Sequence, residues 1–271
     1  MIVVAGTLLL ALQSADPDYA QAMRKVAARF TGKEGVVLHI GDSITYANPY
    51  SAWARGGKGK TPQEKEALAW MHAGKQDDTD GWWLCSVDRP GGRSETAVGG
   101  IRSEEWLKGG KAGIAPLAEV VKRYNPRMAV ILLGTNDVTA RRPVADYRAD
   151  MLKIVDVVIA NGTVPLLTTL PPYKGRDADV ASYNAALQEI ARLRQVPLID
   201  YGGEILRRRS SDWLGTLISD DGVHPSASHA GTSPGDEPTE ANLRNSGYLL
   251  RCVLTVRKIM EVRERVLGSS K

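Results

Sequence analysis

The chain has 271 residues, 43% hydrophobic and 24% charged, a globular composition that argues against disorder, collagen and long coiled coils. Two cysteines exclude a disulfide-dense scaffold and a four-cysteine zinc site. A net charge of +4 does not by itself imply nucleic acid, and the basic clusters at residues 55–60, 141–142 and 207–209 lack interleaved aromatics for base stacking.

Residues 2–12 are apolar and uncharged, too few to span ~30 Å of hydrocarbon as a helix. They fit the hydrophobic region of a signal peptide over residues 1–15, although the first basic residue is Arg24 and Gln13-Ser14-Ala15 is a poor cleavage site. The other reading is an ordinary buried segment. Export to the periplasm or extracellular space is expected over a cytoplasmic location, and no stable membrane insertion is expected. Asp16-Pro17-Asp18 caps a helix predicted to run to about Phe30. Residues 36–40 are a short apolar run stopped by Gly41, the pattern of a strand buried on both faces. Residues 46–95 are the least regular part. They hold a loop at 55–60 and the capping box Thr61-Pro62-Gln63-Glu64, which opens a helix to about His72. A short strand is predicted around Trp82-Trp83-Leu84-Cys85, then a turn at Pro90-Gly91-Gly92.

Beyond residue 100 the pattern is regular. Helices are predicted over 115–124, 144–160, 180–193 and 243–266, and strands over 128–133, 164–169 and 196–199. Strands alternating with helices argue an α/β fold with a parallel sheet and right-handed crossovers. No repeat, linker or domain boundary interrupts residues 16–271, so a single domain is expected. In such sheets ligands bind beyond the carboxyl ends of the strands. That directs attention to Gly41-Asp42-Ser43, Gly134-Thr135-Asn136-Asp137 and Asp200-Tyr201.

A serine at a strand-to-helix turn offers a nucleophile, which needs an adjacent base. Alone, Gly-Asp-Ser is a common turn sequence. Asp221-Gly222-Val223-His224-Pro225 places a carboxylate and an imidazole three residues apart, close enough for one to orient the other. Alone it reads equally as a capped loop or a lone metal ligand. Asn136 can offer an amide N–H to a developing oxyanion, or simply end a strand. Gly99 and Gly100, before Ser103, can present a backbone N–H to an anion, or form a plain loop.

Taken in order, these four segments resemble the SGNH hydrolases, the GDSL-like esterase and lipase superfamily. The resemblance spans roughly residues 35–260. It implies a three-layer αβα sandwich with five parallel strands in the flavodoxin-like order 2-1-3-4-5. It implies Ser43 as nucleophile, His224 as general base and acid, and Asp221 as the residue that orients His224. It implies an oxyanion hole of the Ser43 N–H, the Gly100 N–H and the Asn136 side chain. Gly100 is preferred to its neighbour Gly99 by its spacing to Ser103. The chain departs from minimal members by insertions near 46–95 and 226–243, which can act as substrate walls or a lid, or as decoration.

The expected activity is a serine ester hydrolase that needs no cofactor and no metal, deacetylating a carbohydrate or another short-chain acyl ester. A lipase, lysophospholipase or thioesterase is the alternative within the class, and a catalytically silent polysaccharide-binding protein the alternative outside it. The expected partner is a small-molecule or glycan ester, not nucleic acid. Five of the six tryptophans fall in residues 53–106, which reads either as core filling or as a sugar-stacking surface. His39 reads as a satisfied core histidine. Cys85 and Cys252 are either a pair or two separate buried thiols.

Overall fold

The computed structural model describes residues 19–268. The predicted leader and the Asp16-Pro17 cap lie outside the described residues. Helix α1 spans Ala20–Ala27, and β1, Val37–Gly41, leads into α2, Ser43–Tyr46. Three helices follow, α3 (Ala52–Gly56), α4 (Pro62–Trp70) and α5 (Gly81–Leu84), then α6 (Ser103–Lys108) and α7 (Leu117–Tyr124). Strand β2 is Met128–Leu132, followed by α8 (Thr135–Thr139) and α9 (Val144–Ala160). Strand β3 is Val164–Thr168, α10 is Asp177–Arg194, β4 is Leu198–Ile199 and α11 is Tyr201–Arg208. Helices α12 (Glu240–Leu243) and α13 (Gly247–Val262) close the fold.

The sheet is parallel throughout, in the order β1-β2-β3-β4. Val37 pairs with Met128, Met128 with Val164, and Leu167 with Leu198. Every residue of β1, β2 and β3 is buried, as their continuous apolar runs require of strands covered on both faces. Helix α9 packs on α6, α7 and α10, while α13 packs on α3, α4 and α11.

Among the described residues the sheet has four strands where five were expected. The observed order matches the expected one with the outer neighbour of β1 removed. In that place stands a single parallel bridge between Gly41 and Ala97, flanked by hydrogen bonds from Gly41 N–H to the Thr96 carbonyl and from Val98 N–H to the Gly41 carbonyl, both 3.2 Å. The Ser94 hydroxyl accepts the N–H groups of Thr96 and Ala97 at 3.1 and 2.8 Å. The Thr96 N–H, the donor that would lengthen the ladder, is thus spent on a side chain, and Gly99-Gly100 ends it on the other side.

The strand predicted at Trp82–Cys85 is instead helix α5. The Asp80 carboxylate accepts the Trp82 N–H at 3.0 Å and caps the turn. The Thr61 capping box forms as expected, with Thr61 Oγ1 accepting the Glu64 N–H and Glu64 accepting the Thr61 N–H. The loop after α3 meets the loop before α12, where Lys58 N–H donates to the Gly235 carbonyl at 2.9 Å. The two segments flagged as insertions therefore touch. Trp53, Trp82 and Trp106 are core residues. Trp83 and Trp70 are half-buried, with Arg55 and Arg89 over the first ring and Arg263 over the second. Core filling thus accounts for three of the five tryptophans, and arginines occupy faces of the other two. Cys85 and Cys252 are buried, separate free thiols. Among the described residues, no helix is long and apolar enough to cross a membrane.

Candidate active site

Strand β1 delivers its last residue, Gly41, to a sharp turn. A Cβ at Gly41 would lie 2.0 Å from the Thr45 hydroxyl, so only glycine lets α2 fold back this tightly. The Trp106 indole N–H donates to the Gly41 carbonyl at 3.1 Å. Asp42 caps α2, accepting the Ile44 N–H at 3.0 Å. Ser43 is the first residue of that helix, where backbone N–H groups have no partner within the helix.

The Ser43 hydroxyl lies 2.9 Å from His224 Nε2. His224 Nδ1 lies 2.6 Å from Asp221 Oδ2. With the ring proton on Nδ1 donated to Asp221, the Nε2 lone pair faces the serine O–H, so the ring can accept that proton. Asp221 and His224 share one loop, held by Ser219 N–H on the His224 carbonyl at 2.8 Å. Asp221 Oδ1 also accepts the N–H groups of Val223 and His224 and the Ser219 hydroxyl. Partial burial pushes the Asp221 carboxyl up, but these donors outweigh it and hold it well below the usual carboxylate range. It is therefore a fixed anion against the imidazole.

Asn136 arrives from the end of β2. Gly134 turns the chain at φ 131°, with the Tyr147 ring against it and the Tyr147 hydroxyl on the Leu133 carbonyl at 2.8 Å. The Asn136 amide nitrogen donates to Asp42 Oδ2 at 3.2 Å and to the Ile101 carbonyl at 3.1 Å. Asp42 is fully buried, and desolvation raises its carboxyl to about 6 against the opposing Ile44 N–H and the Arg251 charge. The Asp42–Asn136 contact ties the serine turn to the asparagine turn. It is invisible in the separate motifs.

The glycine segment is tied to the asparagine segment by a buried network. Asp137 accepts the Ser103 N–H at 3.0 Å and the Ser103 hydroxyl at 2.8 Å, and Arg142 pairs with Asp137 at 2.5 Å. A Cβ built on Gly99 would lie 4.0 Å from the Ser43 Cβ, whereas one built on Gly100 would meet the Lys111 side chain. The Gly100 carbonyl accepts from the Lys111 ammonium. Gly99 therefore borders the serine side chain and Gly100 is the next residue outward.

The structure thus brings Ser43, Asp221 and His224 into one hydrogen-bonded line and joins Asn136 to it through Asp42. His229 stands in the loop beyond, and His72 is remote, its Nε2 on the Glu34 carbonyl at 2.9 Å. Among the described residues, no group of three or more His, Cys, Asp or Glu side chains is placed to hold a metal ion.

The family model of the GDSL-like Lipase/Acylhydrolase family matches residues 39–228, the span that contains Ser43, Gly100, Asn136, Asp221 and His224. No curated protein matches the chain. Among solved structures, the chain is similar to a carbohydrate esterase family 3 protein from Talaromyces cellulolyticus, with TM-score 0.55 and 15% identity over 85% of this chain and 98% of that one. It is similar to an acetyl xylan esterase from Geobacillus stearothermophilus, with TM-score 0.53 and 17% identity over 85% and 96%. It is also similar to a lipase/acylhydrolase from Enterococcus faecalis, with TM-score 0.53 and 19% identity over 83% and 95%. At these identities the likeness is one of fold.

Proposed function

The chain belongs to the GDSL-like lipase/acylhydrolase family, and from that premise we propose that it is a carboxylic ester hydrolase working through an acyl-enzyme on Ser43. The observation that carries the proposal is the continuous line from Ser43 to His224 to Asp221, at 2.9 and 2.6 Å. In this reading the Ser43 oxygen attacks the acyl carbon while its proton passes to His224 Nε2. Asp221 stabilises the imidazolium. The tetrahedral oxyanion faces the Ser43 N–H, the N–H of Gly100 or its neighbour Gly99, and the Asn136 amide. Asn136 takes this role by exchanging one of its two long hydrogen bonds for the substrate oxygen. As the C–O bond breaks, His224 returns the proton to the leaving alcohol. Water then attacks the acyl-enzyme by the same route in reverse, releasing acid and free Ser43.

For the substrate we propose a short acyl group, acetyl above all, on a carbohydrate. His224 and Asp221 are 39% and 49% exposed, so the site is open to solvent. That openness suits a bulky, hydrated alcohol better than a long acyl chain, whose apolar surface needs an enclosing wall. The fungal and bacterial carbohydrate esterases of the same fold are in keeping with this choice. The five tryptophans of residues 53–106 lend it no support, since they fill core or lie under arginines. A panel crossing acyl length from acetyl to palmitoyl with sugar, glycerol and thiol leaving groups tests it. Acetylated sugars are expected to be the fastest substrates. Preference for palmitoyl or thioesters would overturn the substrate class, and no hydrolysis by folded protein would favour a silent glycan-binding protein. Export and a free substrate in the periplasm or outside the cell complete the proposal.

A further inference from the structure

The turn that carries Ser43 is a single turn of helix, yet it is gripped at both ends. At its start stands the buried Asp42 carboxylate on the Ile44 N–H. At its other end stands Arg251, from the second turn of α13, only 1% exposed. One terminal nitrogen of Arg251 donates to the Ile44 carbonyl and the other to the Thr45 hydroxyl, each at 2.9 Å. The guanidinium carbon lies 3.7 Å from the Tyr50 ring centroid. Neither acceptor is charged, and Arg251 Nε is buried without a hydrogen-bond partner.

A buried cation with no carboxylate in contact is costly, and an apolar side chain of similar volume is often as stable or more so. Packing alone therefore does not account for an arginine here. Its two terminal donors do. Carbonyls at the end of a helix are electronegative, and a planar fork can hold two acceptors in fixed relation where a point charge cannot. The anion that answers Arg251 electrostatically is Asp42, at the opposite end of the same turn. Ser43 lies between the two.

We propose that Arg251 is a positioning residue for Ser43, its fork fixing Ile44 and Thr45 and hence the direction of the Ser43 hydroxyl toward His224. The proposal rests on the reading of Ser43 as nucleophile. Arg251→Met and Arg251→Lys in the full-length chain test it through three readouts: folding by circular dichroism, kcat and KM on an activated acetyl ester, and the rate of Ser43 labelling by a fluorophosphonate. In the folded Met variant, kcat and the labelling rate should fall together by roughly 10²-fold, the effect of a reacting group displaced by about 1 Å. KM should change little, and Lys should restore part of the loss. A folded Arg251→Met variant with wild-type kcat and labelling rate would overturn the proposal. If Arg251→Met does not fold, Thr45→Val removes only one acceptor, and the same two rates should fall by a smaller factor; unchanged rates would overturn the proposal equally. A crystal structure of the altered protein separates this from failure of the nucleophile reading. If wild type never reacts at Ser43, loss of the Ser43–His224 contact in the variant still supports positioning, and its retention at 2.9 Å overturns it.

Discussion

Arg142→Met should destabilise the protein through a single buried carboxylate. Arg142 is 13% exposed and pairs with Asp137, which is fully buried, and also with Asp150 and Glu104. Methionine fills much of the same volume but leaves Asp137 without a cation. Breaking a buried pair by removing one partner costs about 3–5 kcal/mol. Asp137 keeps the Ser103 N–H and hydroxyl, which places the expected loss near the lower end, at ~3 kcal/mol. At ~2–4 °C per kcal/mol for a chain of this size, the melting temperature should fall by roughly 6–12 °C. The same network anchors Ser103 beside Asn136, so kcat should fall as well. The assay is calorimetric unfolding alongside turnover of an activated acetyl ester. The double variant Asp137→Asn with Arg142→Met removes the orphaned charge and should recover part of the loss, a coupling that a double-mutant cycle reads directly. A melting temperature within about 2 °C of wild type for the single variant, or no recovery in the double variant, would refute the reasoning.

Asn136→Ala should lower kcat by ~10²-fold or more if its amide serves the oxyanion; an unchanged kcat in the folded variant removes it from that role. Stability should also respond to pH through His39. Burial, with a smaller contribution from the Arg251 charge, holds the His39 imidazole well below its ordinary value. The unfolded chain therefore binds a proton below pH ~6.5 that the native state refuses, and stability falls as pH drops through that point. Asp42, raised to about 6, acts with the opposite sign, since the native state takes up its proton first. The gap between wild type and His39→Gln in chemical denaturation should therefore change with pH below ~6.5, by up to ~1.4 kcal/mol per unit against wild type. Parallel curves from pH 7.5 to 5 would contradict the burial argument.

Much of the fold and of the candidate site is legible in the sequence. The runs at 128–133 and 164–169 are strands because an apolar segment too short for a helix and bounded by turn residues has few other ways to be buried. Helix α9 has the predicted bounds, Val144–Ala160. The ordered motifs pointed to Ser43 and Asn136 at turns where a parallel sheet exposes its strand ends, and to Asp221 and His224 on one loop, which follows α11. The misses have physical causes. Trp82–Cys85 looked like a strand by its aromatics, but Asp80 caps the next turn, and an aspartate directly before Gly81 was the available signal. The fifth strand is lost to the Ser94 hydroxyl, a local side-chain competitor with the ladder that no periodicity records. Arg251 was missed because it sits among apolar residues of α13, where a helical pattern shows one charge without showing what it faces. Asp42 read as an ordinary turn aspartate. Its bond to Asn136 joins residues 94 positions apart, beyond the reach of local spacing.

The central claim is that Ser43 is a nucleophile activated by His224. Intact-mass and peptide mapping after treatment with a fluorophosphonate tests it directly. Wild type should gain a single adduct on Ser43, Ser43→Ala should gain none, and His224→Ala should react far more slowly, each variant remaining folded. A folded wild-type protein that takes no adduct, or an adduct that persists in Ser43→Ala, would contradict the account.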